Sequence, residues 1–483
     1  MNHSPKPSMN TLPLFLALML AACKSVRCLL STAGHGSSNR KSAQSRLFSD
    51  FSDLDDLMDM VLTDPDLFKR QRSSSNRTTS DDQSSLWKSF DWESIPVQEM
   101  RPSPVETMLI NDRIVYIKCD HQLRLPGSQI SGNKARKMLA LNQVPSKDFP
   151  QVVVSYGGPQ SNAMLALAAI VHFQNQTRTN QQLPPSRFVY YTKNLPKFLR
   201  NNPSGNLFRA QSLGMDMVEL SDKEYNNLFG SDWGGSNEPP FAIQPPIPGD
   251  SLWIPQGGAN GAALPGVRRL AQEVVDYWTL NGKGRPLTVC IPSGSCTTSV
   301  LLHDAIQEIQ QQNVTSNNDR TALDIKVVVI PCVGDEFYAQ RQMLALNAEL
   351  GFRSGIPAIL SPVPNGDGFQ KQSPNVSNNY FRFGEPNREI YDTYTAMKED
   401  GLNLDLLYGA PSWTILLRHL TWNTLQDEPF NSNDEPFNPR YPFKGRSVMY
   451  IHSGGLEGIN TQLLRYKYKG IVSENEIQNP GKW

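Results

Sequence analysis

The stretch Ser131–Lys137, "SGNKARK", sets three basic residues just past a Gly-Asn turn, where an apolar helix begins. Lys134 and Lys137 are three apart and share one helix face, while Arg136 falls on another. Basic residues on a helix usually form a solvated face, and Arg136 reads as solvated or paired. A lysine that enters chemistry needs to be partly neutral. Desolvation or a cationic neighbour lowers its pKa enough for that, and Lys137 would be such a neighbour for Lys134.

A second stretch, "TVCIPSGSCTTSVLLHDAI", reads as a strand, a small-residue turn and an apolar helix. Backbone N–H groups at that helix start would cradle a phosphate, helped by the hydroxyls of Ser293, Ser295, Thr297 and Thr298. Gly294 and Cys296 complete the turn. An ordinary capped helix would look the same. The stretch is neither a Walker A loop nor GxGxxG, so it suggests a phosphorylated cofactor without specifying a nucleotide. A phosphate cup and a lysine at the mouth of one sheet are what pyridoxal phosphate requires. The lysine forms a Schiff base, and the ring serves as the electron sink.

The elements that would position these groups alternate. Strand-length apolar runs cover 114–119, 152–157, 188–192, 288–294, 326–332 and 448–455, and helical patterns cover 162–173, 297–310, 339–350 and 385–400. The strands are continuously apolar, as parallel strands covered on both faces are. Alternation with helices predicts α/β layers around a parallel sheet. Gly-bearing turns follow several strands: "GGPQSN" (157–162), "GGANG" (257–261), "SGSCTT" (293–298) and "SGGLEG" (453–458). In open α/β sheets, ligands bind beyond the carboxyl ends of the strands. Polar, Pro/Asn-rich stretches at 222–249, 311–323, 361–380 and 424–443 read as surface insertions.

The 483 residues carry 46 basic and 46 acidic side chains, a balance that gives no reason to expect a nucleic-acid or membrane-surface partner. The six cysteines have neither CxxC nor zinc-ligand spacing, so no metal site is expected and the four outside the leader should be buried thiols. The leader is residues 1–86. "TLPLFLALMLAAC" (11–23) has the shape of a cleavable signal, and the Arg/Ser-rich, acid-free run to residue 49 has that of a transit peptide. The pair suits a plastid reached through the secretory route, with a mitochondrion or plain secretion as rivals. Residues 72–85 read as a linker with too little apolar surface to order.

Five motifs, in order, resemble the D-cysteine desulfhydrase and 1-aminocyclopropane-1-carboxylate (ACC) deaminase family of fold-type-II pyridoxal-phosphate enzymes. "SGNKARKML" is similar to the family's Schiff-base lysine motif, and "GGPQSNAMLALA" to its Gly-Gly…Ser-Asn motif. "FGEPNREIYDTY", "LDLLYGA" and "YIHSGGLEG" are similar to its three later motifs. The resemblance runs from about Arg101 to Leu456. It implies two open, mostly parallel sheet domains with helices on both faces and the cofactor between them. The large domain would be 87–138 with 250–483, and the small one 139–249.

By the same resemblance, Lys134 carries the cofactor and moves the substrate proton, and Lys137 meets the phosphate. Asn162 would bond the phenolic oxygen, and Ser161 would bind the substrate carboxylate. Tyr408 would lie by the ring and assist catalysis, and Ser453, where the family has leucine or threonine, would keep a hydroxyl among the cofactor-binding residues. The chain departs from the family at Ala163, Phe383 and Gly409, where the family has a histidine, a tyrosine and a glutamate or hydroxyl residue. Those departures lean away from ACC deaminase. The implied activity is a lyase for a small D-amino acid, D-cysteine foremost, acting as a homodimer. ACC deamination and a non-catalytic, cofactor-binding homologue are the alternatives.

Overall fold

The computed structural model describes Trp92, Ile95 and residues 100–473, apart from 129, 196, 202, 230–250, 317–322, 365–368, 370–372, 374–375 and 425–436. The readings for the leader, 1–86, lie outside the described residues. Among the described residues no helix is long and apolar enough to cross a membrane.

Among the described residues, ten strands form two sheets. They are β1 (Val105–Ile110), β2 (Arg113–Lys118), β3 (Val152–Tyr156), β4 (Arg187–Lys193), β5 (Met215–Leu220), β6 (Ser251–Trp253), β7 (Leu287–Ser293), β8 (Ile325–Pro331), β9 (Ala358–Ile359) and β10 (Ser447–Ile451). The larger sheet has the order β1-β2-β10-β7-β8-β9 and the smaller β5-β4-β3-β6. Every pairing is parallel except β1 with β2. β7 is buried at all seven positions, which only a central strand covered on both faces can be. The two faces of the larger sheet carry separate apolar clusters, one around Trp413 and Tyr450 and the other around Trp278 and Met449.

The six strands expected from apolar runs are present as β2, β3, β4, β7, β8 and β10. β1 lies outside those runs, and its mark in the sequence is the turn that follows it. Asn111 and Asp112 both adopt positive φ (46° and 63°), the two-residue turn that closes an antiparallel hairpin.

Six helices matter for the site: α1 (Gly132–Lys137), α2 (Asn162–Asn180), α3 (Gly205–Ser212), α4 (Leu264–Asn281), α5 (Thr297–Ser316) and α6 (Gly409–Thr424). α2 continues seven residues past the expected end, because polar residues on its exposed side do not interrupt the buried face that ends at Arg178. The reading of 222–249 as an insertion needs correction at its start. Asp222–Phe229 is a helix, and the ring of Phe229 stacks on Tyr156 at 4.3 Å. Likewise 311–316 extends α5, and Phe443, at the end of the last supposed insertion, is fully buried.

Candidate active site

β7 ends at Ser293, β10 at Ile451 and β3 at Tyr156, and the turns beyond these three carboxyl ends face one cleft of about 1020 Å³. Its wall includes Lys134, Lys137, Ser161, Asn162, Ser293–Thr298, Tyr408 and Ser453. All the candidate catalytic and cofactor-binding residues read from the sequence therefore come together, although their positions span more than three hundred residues.

α1 is held at its start by close backbone contact. Gly132 has φ +64°, and a Cβ there would come within 2.4 Å of the Ser453 carbonyl oxygen. The Asn133 N–H donates to that same carbonyl at 2.8 Å. Thr298 donates to the Asn133 side chain at 2.8 Å. The lysine helix is thus tied to the turn after β10 and to the start of α5.

The buried face of α1 is set by Arg136. Its guanidinium reaches Asp120 at 2.8 Å and Glu273 at 2.6 Å, and Lys118 pairs with the same Glu273 at 2.5 Å. Of the two readings for Arg136, paired is the one the fold adopts. α4 crosses so closely here that a Cβ at Gly266 would come within 1.9 Å of the Arg136 carbonyl oxygen.

On the cleft face, Lys137 donates to the Gly257 carbonyl at 3.0 Å and to Ser295 Oγ at 3.3 Å. Ser295 and Thr297 are hydrogen-bonded to each other at 2.9 Å. Cys296 takes a positive φ of 54° to turn the chain beneath them. Ser293 is bonded to Ser299 inside the turn. A Cβ at Gly294 would press on the Tyr408 ring at 3.2 Å, so the turn and that ring are in near contact. Gly257 likewise lies where a Cβ would meet Ser295 Oγ at 3.1 Å. This lysine, these two hydroxyls and the bare backbone form a cradle for an anion.

Lys134 has no hydrogen-bond partner among the described residues. Burial lowers its pKa to about 8, with the Glu457 carboxylate pulling the other way. Lys137 is held well below the usual lysine range by burial and then by Lys134. Burial is the first cause of the lowered pKa at both lysines, and each is a like charge beside the other. A phosphate brought into the cradle would relieve Lys137, since an adjacent anion favours the charged form. The residues present therefore fit pyridoxal phosphate.

Ser161 is the N-cap of α2, its Oγ accepting from the N–H of Ala163 at 3.2 Å and of Met164 at 3.3 Å. Asn162 accepts from Asn206, on α3, at 2.7 Å. Tyr408 packs edge-on against Phe383 at 5.1 Å between centroids, and burial pushes its phenol upward, so it stays neutral. Gly409, which stands where the family has a glutamate or a hydroxyl residue, does not line the cleft. A Cβ there would meet Asp405 Oδ2 at 3.0 Å and Leu404 at 3.1 Å. Asp405 accepts from the N–H groups of Leu407, Tyr408 and Gly409, all at 2.8 Å, and burial raises its pKa to about 6. Three contributors went unnoticed in the sequence. Asp120 and Glu273 are scattered acids whose role exists only through Arg136. Glu457 lies in the stretch SGGLEG, whose glycines dominate its pattern. The four described cysteines are buried free thiols. No cluster able to hold a metal ion is present among the described residues.

No family model and no curated protein matches the chain. Similar solved structures include an ACC deaminase homologue, at 17% identity over 79% of this chain and 98% of that one, with a TM-score of 0.49. Others are an L-serine ammonia-lyase from Rhizomucor miehei (13%, 76% and 98%, 0.42) and the holo diaminopropionate ammonia lyase of Escherichia coli (9%, 81% and 96%, 0.43). By its own strand order and cleft, the chain has the α/β fold expected of it: two open, mostly parallel sheets flanked by helices.

Proposed function

We propose that the chain is a pyridoxal-phosphate-dependent lyase for a small D-amino acid, with D-cysteine converted by β-elimination and hydrolysis to pyruvate, hydrogen sulfide and ammonia. The observation that carries this reading is Lys134: an amine with no hydrogen-bond partner among the described residues and a pKa of about 8, set in a cleft one helical turn from an anion cradle.

Bound there, pyridoxal phosphate supplies an electron sink that stabilises negative charge at the substrate α-carbon. The chain's residues do the rest. Lys137, Ser295 and Thr297 hold the phosphate, aided by the start of α5. Lys134 would hold the cofactor covalently, and its Nζ, when free, would take the substrate α-proton. A pKa near the working pH suits that transfer. Ser161 and the N-terminus of α2 bind the substrate carboxylate, where the helix dipole favours an anion. Tyr408, on the cleft wall, stays protonated and would donate a hydrogen bond. Phe383 covers it and keeps water from that side.

Ser453 keeps a hydroxyl in the cleft, which suits a polar leaving group better than a ring-opening reaction. ACC is therefore the comparison substrate. The full chain loaded with pyridoxal phosphate and reduced with borohydride should carry the label on Lys134. It should release sulfide from D-cysteine faster than it forms ammonia from ACC, L-cysteine or D-serine. A label on another lysine defeats the cofactor assignment. Faster turnover of ACC defeats the desulfhydrase reading.

A further inference from the structure

The cleft is lined by cations: Lys134, Lys137, Lys193 and Arg209. Among the described residues that line it, one alone is an Asp or Glu, and that is Glu457. The cations have work under the proposed reaction, since a phosphate and a carboxylate must be held. A lone carboxylate opposes both of those ligands, so it must face something else.

Its placement is built into the backbone. Gly454 and Gly455 both adopt φ +91°, which only glycine does readily, and they turn the chain back onto α1. Ser453 thereby touches Gly132 and Asn133. Four residues later Glu457, on the 3-10 turn Leu456–Gly458, accepts a hydrogen bond from Ser131 Oγ. The carboxylate is thus pinned beside the lysine helix, exposed to the cleft, and its charge is felt at Lys134. An ordinary surface glutamate would have neither the hydroxyl partner nor the lysine. Lys193 is already engaged with Asp222 at 3.9 Å and with the Tyr225 ring.

Building on the lyase reading, we propose that Glu457 selects the substrate side chain. It accepts a hydrogen bond from a distal donor, whether thiol, hydroxyl or ammonium, and excludes amino acids that end in a second carboxylate. Ser131 orients it, and the Gly454–Gly455 turn fixes its reach. Repulsion between two carboxylates in a partly enclosed cleft is costly enough to discriminate at the binding step.

The test uses the full chain loaded with pyridoxal phosphate, wild type and E457Q. Binding of D-alanine, D-cysteine, D-2,3-diaminopropionate and D-aspartate is followed by the change in cofactor absorbance. Wild type should bind diaminopropionate and cysteine at least tenfold more tightly than aspartate. E457Q should narrow that gap about tenfold and leave D-alanine unchanged. A gap that does not move, or an equal loss for all four including D-alanine, overturns the proposal, the latter because it marks a merely structural role. A second measurement needs no cofactor. The pH midpoint for modification of Lys134 by an amine reagent should fall in E457Q, since the carboxylate that favours the ammonium is gone. An unmoved midpoint also overturns it. Discrimination by Glu457 without sulfide release from D-cysteine would sink the lyase reading and leave this one standing.

Discussion

Arg136 and Lys134 stand two residues apart on one short helix in opposite electrostatic settings. Arg136 is buried completely and meets Asp120, Glu273 and Ser103 within hydrogen-bonding distance. Lys134 looks into a cleft and has no hydrogen-bond partner among the described residues. The difference separates two uses of a cation. A guanidinium with a planar fork of donors suits fixed bidentate pairing, and its charge is never lost. An amine without partners keeps a pKa that burial can tune. The first locks the helix in place, and the second leaves a group poised to give up a proton. Lys137 lies between these extremes. It has neutral hydrogen-bond partners but no counter-ion among the described residues, which is the state of a site built for an anion.

The largest effect comes from removing the fixed charge. Arg136→Met leaves the Asp120 carboxylate buried without its guanidinium, and Lys118 cannot neutralise it and Glu273 together. Breaking a buried pair from one side costs about 3–5 kcal/mol. Urea unfolding should show a loss in that range, together with weaker cofactor binding, because α1 carries both lysines. Equal cofactor affinity in a folded Arg136→Met protein would show that the ion cluster stabilises the fold without positioning the helix.

Removing the poised charge should do the reverse. Lys134 titrates near pH 8 in the folded, cofactor-free chain and near 10.5 in the unfolded one. Below pH 8 both states hold the proton, and the burial penalty is fully present. Between about 8 and 10.5 only the unfolded chain holds it, so folding stability rises with pH. At 1.36 kcal/mol per unit the penalty reaches about 3 kcal/mol, less whatever screening the open cleft supplies. Lys134→Met should therefore abolish activity, stabilise the cofactor-free protein at pH 7 and flatten its stability between pH 8 and 10.5. A destabilised Met variant with an unchanged pH profile would mean that the amine is paired after all.

The sequence exposed one side of this contrast and hid the other. Lys134, Lys137 and the Ser293–Thr298 turn were legible because each sits in a short local pattern, a turn followed by a helix, whose geometry is set by neighbours in the chain. Parallel strands were legible for the same reason, as unbroken apolar runs. Asp120 and Glu273 were not, since their meaning depends on approach between segments 153 residues apart. Nor was the direction of Gly409. A residue at the first position of a helix points according to how that helix packs, and here it turns toward Leu404 and Asp405. β6 and β9 have three and two residues, too short to leave a periodicity.

The smallest effect separates a structural from a binding role at one hydroxyl. Ser161 caps α2, and the proposed reaction also places the substrate carboxylate there. Ser161→Ala loses the cap and should cost about 1 kcal/mol. Ser161→Asp keeps an acceptor for the N–H groups of Ala163 and Met164, and a negative charge at a helix N-terminus is favourable. That variant should be as stable as the parent. It would nevertheless set a carboxylate against the one the substrate brings, and like charges in a partly enclosed site repel. The expected outcome is wild-type unfolding in urea with an apparent Kd for D-alanine raised at least tenfold, read from cofactor absorbance. If Ser161→Asp binds D-alanine as wild type does, Ser161 is a helix cap alone and the substrate carboxylate must be held elsewhere in the cleft.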